Sequence, residues 1–123
     1  MMIRWRGTVA STIRGKRGQA FLRELIDALD AMPDKRLVDG ALHQDGAVCA
    51  IGAVGVKRGV EMGRLDPDDY DTVAATFGIA VPLVREIEWE NDEGGPYSGE
   101  TPEQRWTRMR AWAVANLKKE PSS

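Results

Sequence analysis

"TVAATFGIAVPLVREIEWEND" (residues 72–92) decides how this chain folds. Ala74 is followed by Gly78 after four residues, and Val84 and Ile87 come six and nine residues beyond that glycine. A helix-turn-helix corner needs this pattern: a small residue where the second helix crosses closely, a glycine for the turn, and two apolar residues to seat the second helix. The spacing predicts such a corner over 66–92. Upstream, Asp66 reads as the N-cap of a helix over 66–77 and Pro67 as its first helical residue, with Asp68 and Asp69 complementing the dipole. Tyr70, Val73, Ala74 and Phe77 supply the buried face. Pro82 starts the next helix, with Leu83, Val84 and Ile87 inward.

Working outward, "QAFLRELIDALDAM" (19–32) carries Phe21, Leu22, Leu25, Ala28, Leu29 and Met32 along one stripe at helical spacing. Arg23 and Asp27, four apart, support the opposite face, and Pro33 stops the helix. "LVDGALHQDGAVCAI" (37–51) has two readings: "QDG" signals the turn of a small hairpin, while "CAIGAVGVKRG" (49–59) reads as a buried helix capped by Gly59. Gly52 and Gly55 would let another element approach closely. "EGGPYSG" (93–99) is a loop. Thr101, Pro102 and Gln104 form a capping-box start for a last helix that buries Trp106, Met109, Ala113 and Leu117. The expected architecture is mainly α: a basic N-terminal arm over 1–18, one compact domain of about five helices over 19–118, and a frayed tail over 119–123.

The chain has 123 residues, enough for one modest core, with 42% hydrophobic and 29% charged residues. No stretch approaches the roughly 20 apolar residues of a membrane span. The opening "MMIRWRGTVASTIRGKRG" lacks the apolar run of a secretory signal. Cys49 is the only cysteine, so a disulfide framework is excluded and a reducing cytoplasm is the expected location. The formal charge of −2 hides a segregation: net +4 over 1–64, −9 over 65–100 and +3 over 101–123. Either the blocks neutralise one another within the fold, or they leave a polarised surface.

The would-be recognition helix carries that acid. Its outward positions draw on Arg85, Glu86, Glu88, Trp89, Glu90, Asn91 and Asp92. A helix in the major groove faces phosphates on both sides, and DNA affinity comes largely from cations that release counterions. Four acids against one base have the wrong sign. Glu86, Glu88, Trp89, Glu90 and Asp92 are therefore the candidate contacts for a protein partner with a basic surface, which the acidic block would engage as a DNA mimic does. Trp89 is either the anchor of that contact or a packed core residue. The alternative is a helix-turn-helix DNA-binding regulator that grips phosphates with Arg4, Arg6, Arg14, Lys16 and Arg17. "IRGKRGQ" places Lys16 and Arg17 between two glycines before a helix, but it lacks the glycine spacing and Lys-Ser/Thr pair of a P-loop.

Catalytic signals are weak. His43 and Cys49 lack a third partner, and Cys49 sits in an apolar run. The alternating acids Glu86, Glu88, Glu90 and Asp92 spread around a helix rather than forming a metal cup, and no paired Cys/His spacing exists. No enzyme, cofactor or metal is expected.

The stretches "RGKRGQAFLRELIDALDAMPDKRL" (14–37), "GAVCAIGAVGVKRGV" (46–60), "FGIA" (77–80), "EIEWENDE" (86–93) and "ETPEQRWTRMRAWA" (100–113) resemble small uncharacterised proteins encoded by bacteriophages and prophages. The resemblance implies a phage or prophage context in the cytoplasm of a bacterial host. It also implies a role in binding host or phage machinery, with an anti-defence, anti-CRISPR-like function among the admissible ones.

Overall fold

The computed structural model describes residues 9–44, 46–95 and 99–118. Among these, six helical segments and one small antiparallel sheet enclose a single hydrophobic core. In chain order they are α1 (residues 9–14), α2 (Lys16–Ala31), β1 (His43–Gln44), β2 (Ala47–Val48), α3 (Ala50–Arg58), α4 (Tyr70–Phe77), α5 (Val81–Glu93) and α6 (Pro102–Ala115). α2 is the central element and packs on α3 and α6, while α5 packs on α3, α4 and α6.

The apolar stripe of α2 is buried along its length, from Phe21 to Leu29. Its helix begins at Lys16, three residues before the expected start, on a Gly15 N-cap that has no side-chain hydrogen bond. Residues 9–18, which fall within the expected basic arm, are helical apart from the bend at Gly15, and Val9, Ile13 and Gly18 are buried. The i, i+4 pair Val9 and Ile13 supplies the reason: it gives this basic segment an apolar edge to bury. Arg4 and Arg6, with the rest of 1–8, lie outside the described residues, as does the expected tail over 119–123.

The two readings of 37–51 divide the segment between them. His43 pairs with Val48 and Gln44 with Ala47, and α3 starts two residues after the sheet. Cys49 caps α3, its sulfur accepting from the Gly52 backbone at 3.4 Å. A Cβ on Gly52 would collide with the carbonyl oxygen of Leu42, so this glycine sets how closely the hairpin lies on α3.

α4 and α5 form the expected corner. Gly78 turns in the left-handed conformation (φ 71°), which only glycine adopts without strain, and its N–H bonds the Ala74 carbonyl at 2.8 Å. Val84 and Ile87 are fully buried beyond it. The N-cap of α4 differs from expectation. It is Asp69, whose carboxylate accepts from the Thr72 backbone and hydroxyl, and not Asp66. Asp66 instead accepts from the Asp68 backbone at 2.9 Å and closes a turn that holds Pro67. Phe77 meets Phe21 edge-on, with centroids 6.4 Å apart, joining the corner to α2.

The capping box of α6 forms as its sequence predicts, with Thr101 and Gln104 exchanging bonds of 2.9 and 3.1 Å. Met109 and Ala113 are buried, whereas Trp106 and Leu117 are only partly so. The Trp106 indole N–H donates to the Leu29 carbonyl near the end of α2 at 3.1 Å.

Candidate functional site

A helix turns about 100° per residue, and this places the candidate contacts on α5. Leu83, Val84, Ile87 and Asn91 face the core. Trp89 stands opposite them and is 54% exposed. Its indole is therefore not packed into the core. On one side of it lie Glu86 and Glu90, one turn apart, and on the other lie Glu88 and Asp92. The acids are thus two like-charged pairs separated by an indole.

The Glu86–Glu90 flank meets α6. Arg108 pairs with Glu90 at 3.6 Å and donates to the main-chain oxygens of Glu90 (2.6 Å) and Asn91 (3.2 Å). It thereby satisfies carbonyls at the C-terminal end of α5, where a cation also complements the dipole. Arg108 is held in turn by Glu100 at 2.7 Å, and its guanidinium keeps the Glu100 carboxyl below the usual range. Burial and the neighbouring Glu86 push the Glu90 carboxyl up, against the opposing pull of Arg108. Glu86 has no ion pair among the described residues.

The Glu88–Asp92 flank faces the turn at 66–68. Asp92 accepts from the Gly40 backbone at 3.2 Å and from the Asn91 side chain at 2.8 Å, fixing the loop before the hairpin. Glu88 borders a cavity of about 40 Å³, with Gly40, Cys49, Asp68 and Asp92 among its other neighbours. Its Oε1 is shielded from solvent and has no hydrogen-bond partner among the described residues. Burial pushes the Glu88 carboxyl up to about 7, and the charges of Asp92, Asp68 and Asp66 add to the shift. Of the five candidate contacts, Glu90 and Asp92 are bound to their own chain and Glu88 is turned towards the cavity. Glu86 and Trp89 remain on the rim.

That rim borders an open groove of about 1110 Å³ between α1, α5 and α6. Val9, Ile13 and Arg14 form one wall, Trp112, Ala115 and Asn116 another, and Glu86, Trp89, Glu90 and Glu93 a third. Tyr70 also lines it, with the Arg85 guanidinium 5.5 Å from the ring centroid. Trp112, Tyr70 and Glu93 were not legible as site residues. Trp112 lies beside the apolar stripe of α6 and reads as core, while Glu93 is the one-turn neighbour of Trp89 and helical spacing points to it.

The basic residues divide. Arg14, Lys16 and Arg17 are exposed around the α1–α2 junction, and Arg14 reaches the groove. The arginines of α6 are engaged: Arg105 with Glu100 at 3.3 Å, Arg108 as above, and Arg110 with Asp30 at 2.6 Å. The C-terminal basic block is thus partly neutralised within the fold. Cys49 is buried, and desolvation raises its thiol to about 12, which leaves it protonated and unreactive at neutral pH. His43 is exposed on β1. Among the described residues, no group of three His, Cys, Asp or Glu is placed to hold a metal ion, and no helix is long and apolar enough to cross a membrane. The arrangement offers negative charge around an accessible indole, which suits recognition of a cationic surface. No family model, curated protein or solved structure matches this chain.

Proposed function

We propose that this chain is a non-enzymatic phage or prophage protein that binds a macromolecular partner bearing a basic surface. It does so through the outward face of α5, as a DNA mimic occupies a nucleic-acid-binding or defence complex in the host cytoplasm. The observation that carries this reading is Trp89, more than half exposed between two pairs of carboxylates. An exposed indole is the kind of residue that becomes the centre of an interface, and Glu86 and Glu93 beside it would steer a cationic partner.

The test is a tagged capture from host lysate in the presence of nuclease, comparing wild type with Trp89→Ala and Glu86→Lys. A discrete protein retained by wild type and depleted severalfold by each substitution is the expected result. Capture that neither substitution alters overturns the reading. A DNA-binding regulator is the second reading, favoured by the α4–α5 corner and by exposed Arg14, Lys16 and Arg17. It predicts retardation of duplex DNA at moderate salt that disappears when these three residues become glutamate.

A further inference from the structure

The groove between α1, α5 and α6 is open to solvent and lined by both charged and aromatic side chains. No strand borders it among the described residues, so a peptide has no sheet edge to extend. Most of its lining comes from α1, α5 and α6, with Asp68 and Tyr70 added, and helical walls offer ridges between which a further helix can pack. A helix of about 10 Å diameter, rising about 1.5 Å per residue, fills about 120 Å³ per residue. The open groove, about 1110 Å³, has room for a stretch of such a helix to lie in it.

The charge favours one sign. Asp68, Glu86, Glu88, Asp92 and Glu93 border the groove against Arg14 and Arg85, while Glu90 is paired with Arg108. Trp89 and Trp112 supply apolar surface between the charges.

We propose that this groove receives one amphipathic, basic α-helix from the partner. Lysine or arginine side chains lie opposite Glu86 and Glu93, and the helix's apolar stripe lies on Trp89 and Trp112. This rests on the partner-binding reading and specifies what the partner presents. An acidic helix or a nucleic-acid backbone would meet like charge at the rim.

The probe is a synthetic helical peptide of about 18 residues, long enough to hold helix, with leucines at helical spacing and lysines elsewhere. A glutamate-for-lysine counterpart is the control. Binding to the full chain is followed by nitrogen-15 resonances of the tryptophan indoles. The expected result is that the lysine peptide shifts Trp89 and Trp112 but not Trp106, and that the glutamate peptide shifts none. Glu86→Lys should weaken binding about tenfold at 0.1 M salt, whereas Asp27→Lys, on the exposed side of α2, should leave it unchanged.

Equal weakening by both substitutions, or shifts that include Trp106, would mean diffuse charge attraction and overturns the proposal. Self-association of the free chain that Glu86→Lys abolishes makes a second copy the occupant and overturns it too. Tighter peptide binding by an Arg4→Glu, Arg6→Glu variant would assign the groove to the chain's own N-terminal residues and likewise overturn it. If lysate capture depends on Glu86 and Trp89 while the lysine peptide leaves Trp112 unmoved, the groove proposal fails alone. If capture ignores both residues, the partner-binding reading fails with it.

Discussion

Replacing Glu88 by glutamine should make the protein more stable at pH 8 and leave it nearly unchanged at about pH 4. The Glu88 carboxyl sits beside Asp92, Asp68 and Asp66, and its Oε1 has neither solvent nor a partner among the described residues. Its folded value of about 7 lies above the unfolded 4.5, so the folded state holds this proton more tightly. The stability it contributes is therefore full below pH 4.5 and is lost as pH rises through 7. The gap between 4.5 and about 7 corresponds to about 3.4 kcal/mol, which solvent screening of this half-buried group reduces to about 1–2 kcal/mol. Glutamine is neutral throughout, and its amide can donate to the neighbouring carboxylates. The difference between variant and wild type isolates Glu88 from other groups that titrate. Urea unfolding at pH 5, 6, 7 and 8, read by tryptophan fluorescence, should show the gap opening with pH. The melting midpoint of the variant at pH 8 should lie about 4–8 °C above wild type. A gap that does not change between pH 5 and 8, or a Glu88 side-chain carboxyl resonance that titrates near pH 4.5, would falsify the assignment.

Asn91 is 1% exposed and links three segments, accepting from the Ala50 backbone at 3.1 Å and donating to the Val38 carbonyl at 2.9 Å. Asn91→Ala leaves the buried start of α3 without its acceptor and should cost about 2–4 kcal/mol in urea unfolding; a loss below about 1 kcal/mol contradicts this. Gly52→Ala sets a methyl against the Leu42 carbonyl and should cost about 1–3 kcal/mol or abolish folding, while Val56→Thr, on the exposed side of the same helix, should cost under about 0.5 kcal/mol. Equal losses from the two would show that the close hairpin–helix contact is not limiting. Cys49 should resist a chromogenic disulfide reagent in native buffer and react once urea unfolds the chain, because burial holds its thiol near 12. Rapid labelling of the native protein would place the thiol outside the core.

The sequence carried the elements whose signals are local. The stripe of α2, the Gly78 turn and the Thr101 capping box each depend on residues within a few positions of one another, and all three appear where their spacing puts them. The beginnings of helices were less legible. Asp66 and Asp69 are both competent N-caps, and what separates them is that the Asp66 carboxylate is taken up by the turn at Pro67. The helical residues 9–14 were hidden because their apolar signal is a single i, i+4 pair, Val9 and Ile13, set among polar and basic residues. Gln19 was equally silent: it is polar by type, yet it is buried and binds the Ile13 and Asn116 carbonyls and the Lys118 backbone. The separation of the acids on α5 follows from helical geometry alone. The exposure of Trp89 and the burial of Glu88 do not, since they depend on which distant segment crosses α5. The turn at 66–68 comes against Glu88, and no described element covers Trp89.

The helix-turn-helix shape and the DNA-reading role have separate physical origins. Ala74, Gly78, Val84 and Ile87 face inward or turn the chain, and they set the geometry of the corner whatever lies outside. Arg85, Glu86, Trp89, Asp92 and Glu93 face outward and decide what that geometry can touch. The outward set is also unfavourable to its own helix. Like charges one turn apart, as in Glu86–Glu90 and Glu88–Asp92, destabilise an isolated helix by about 0.2–0.5 kcal/mol per pair. Arg108 offsets the first pair through Glu90. The second has no ion pair among the described residues, and Asp92 adds to the burial that raises Glu88. Folding is thus served by the inner face and opposed by part of the outer one. Two acidic pairs and an exposed indole, kept at a cost to the helix's own stability, are what the proposed recognition of an outside partner calls for. On that proposal, the sign of the charge asks for a cationic target.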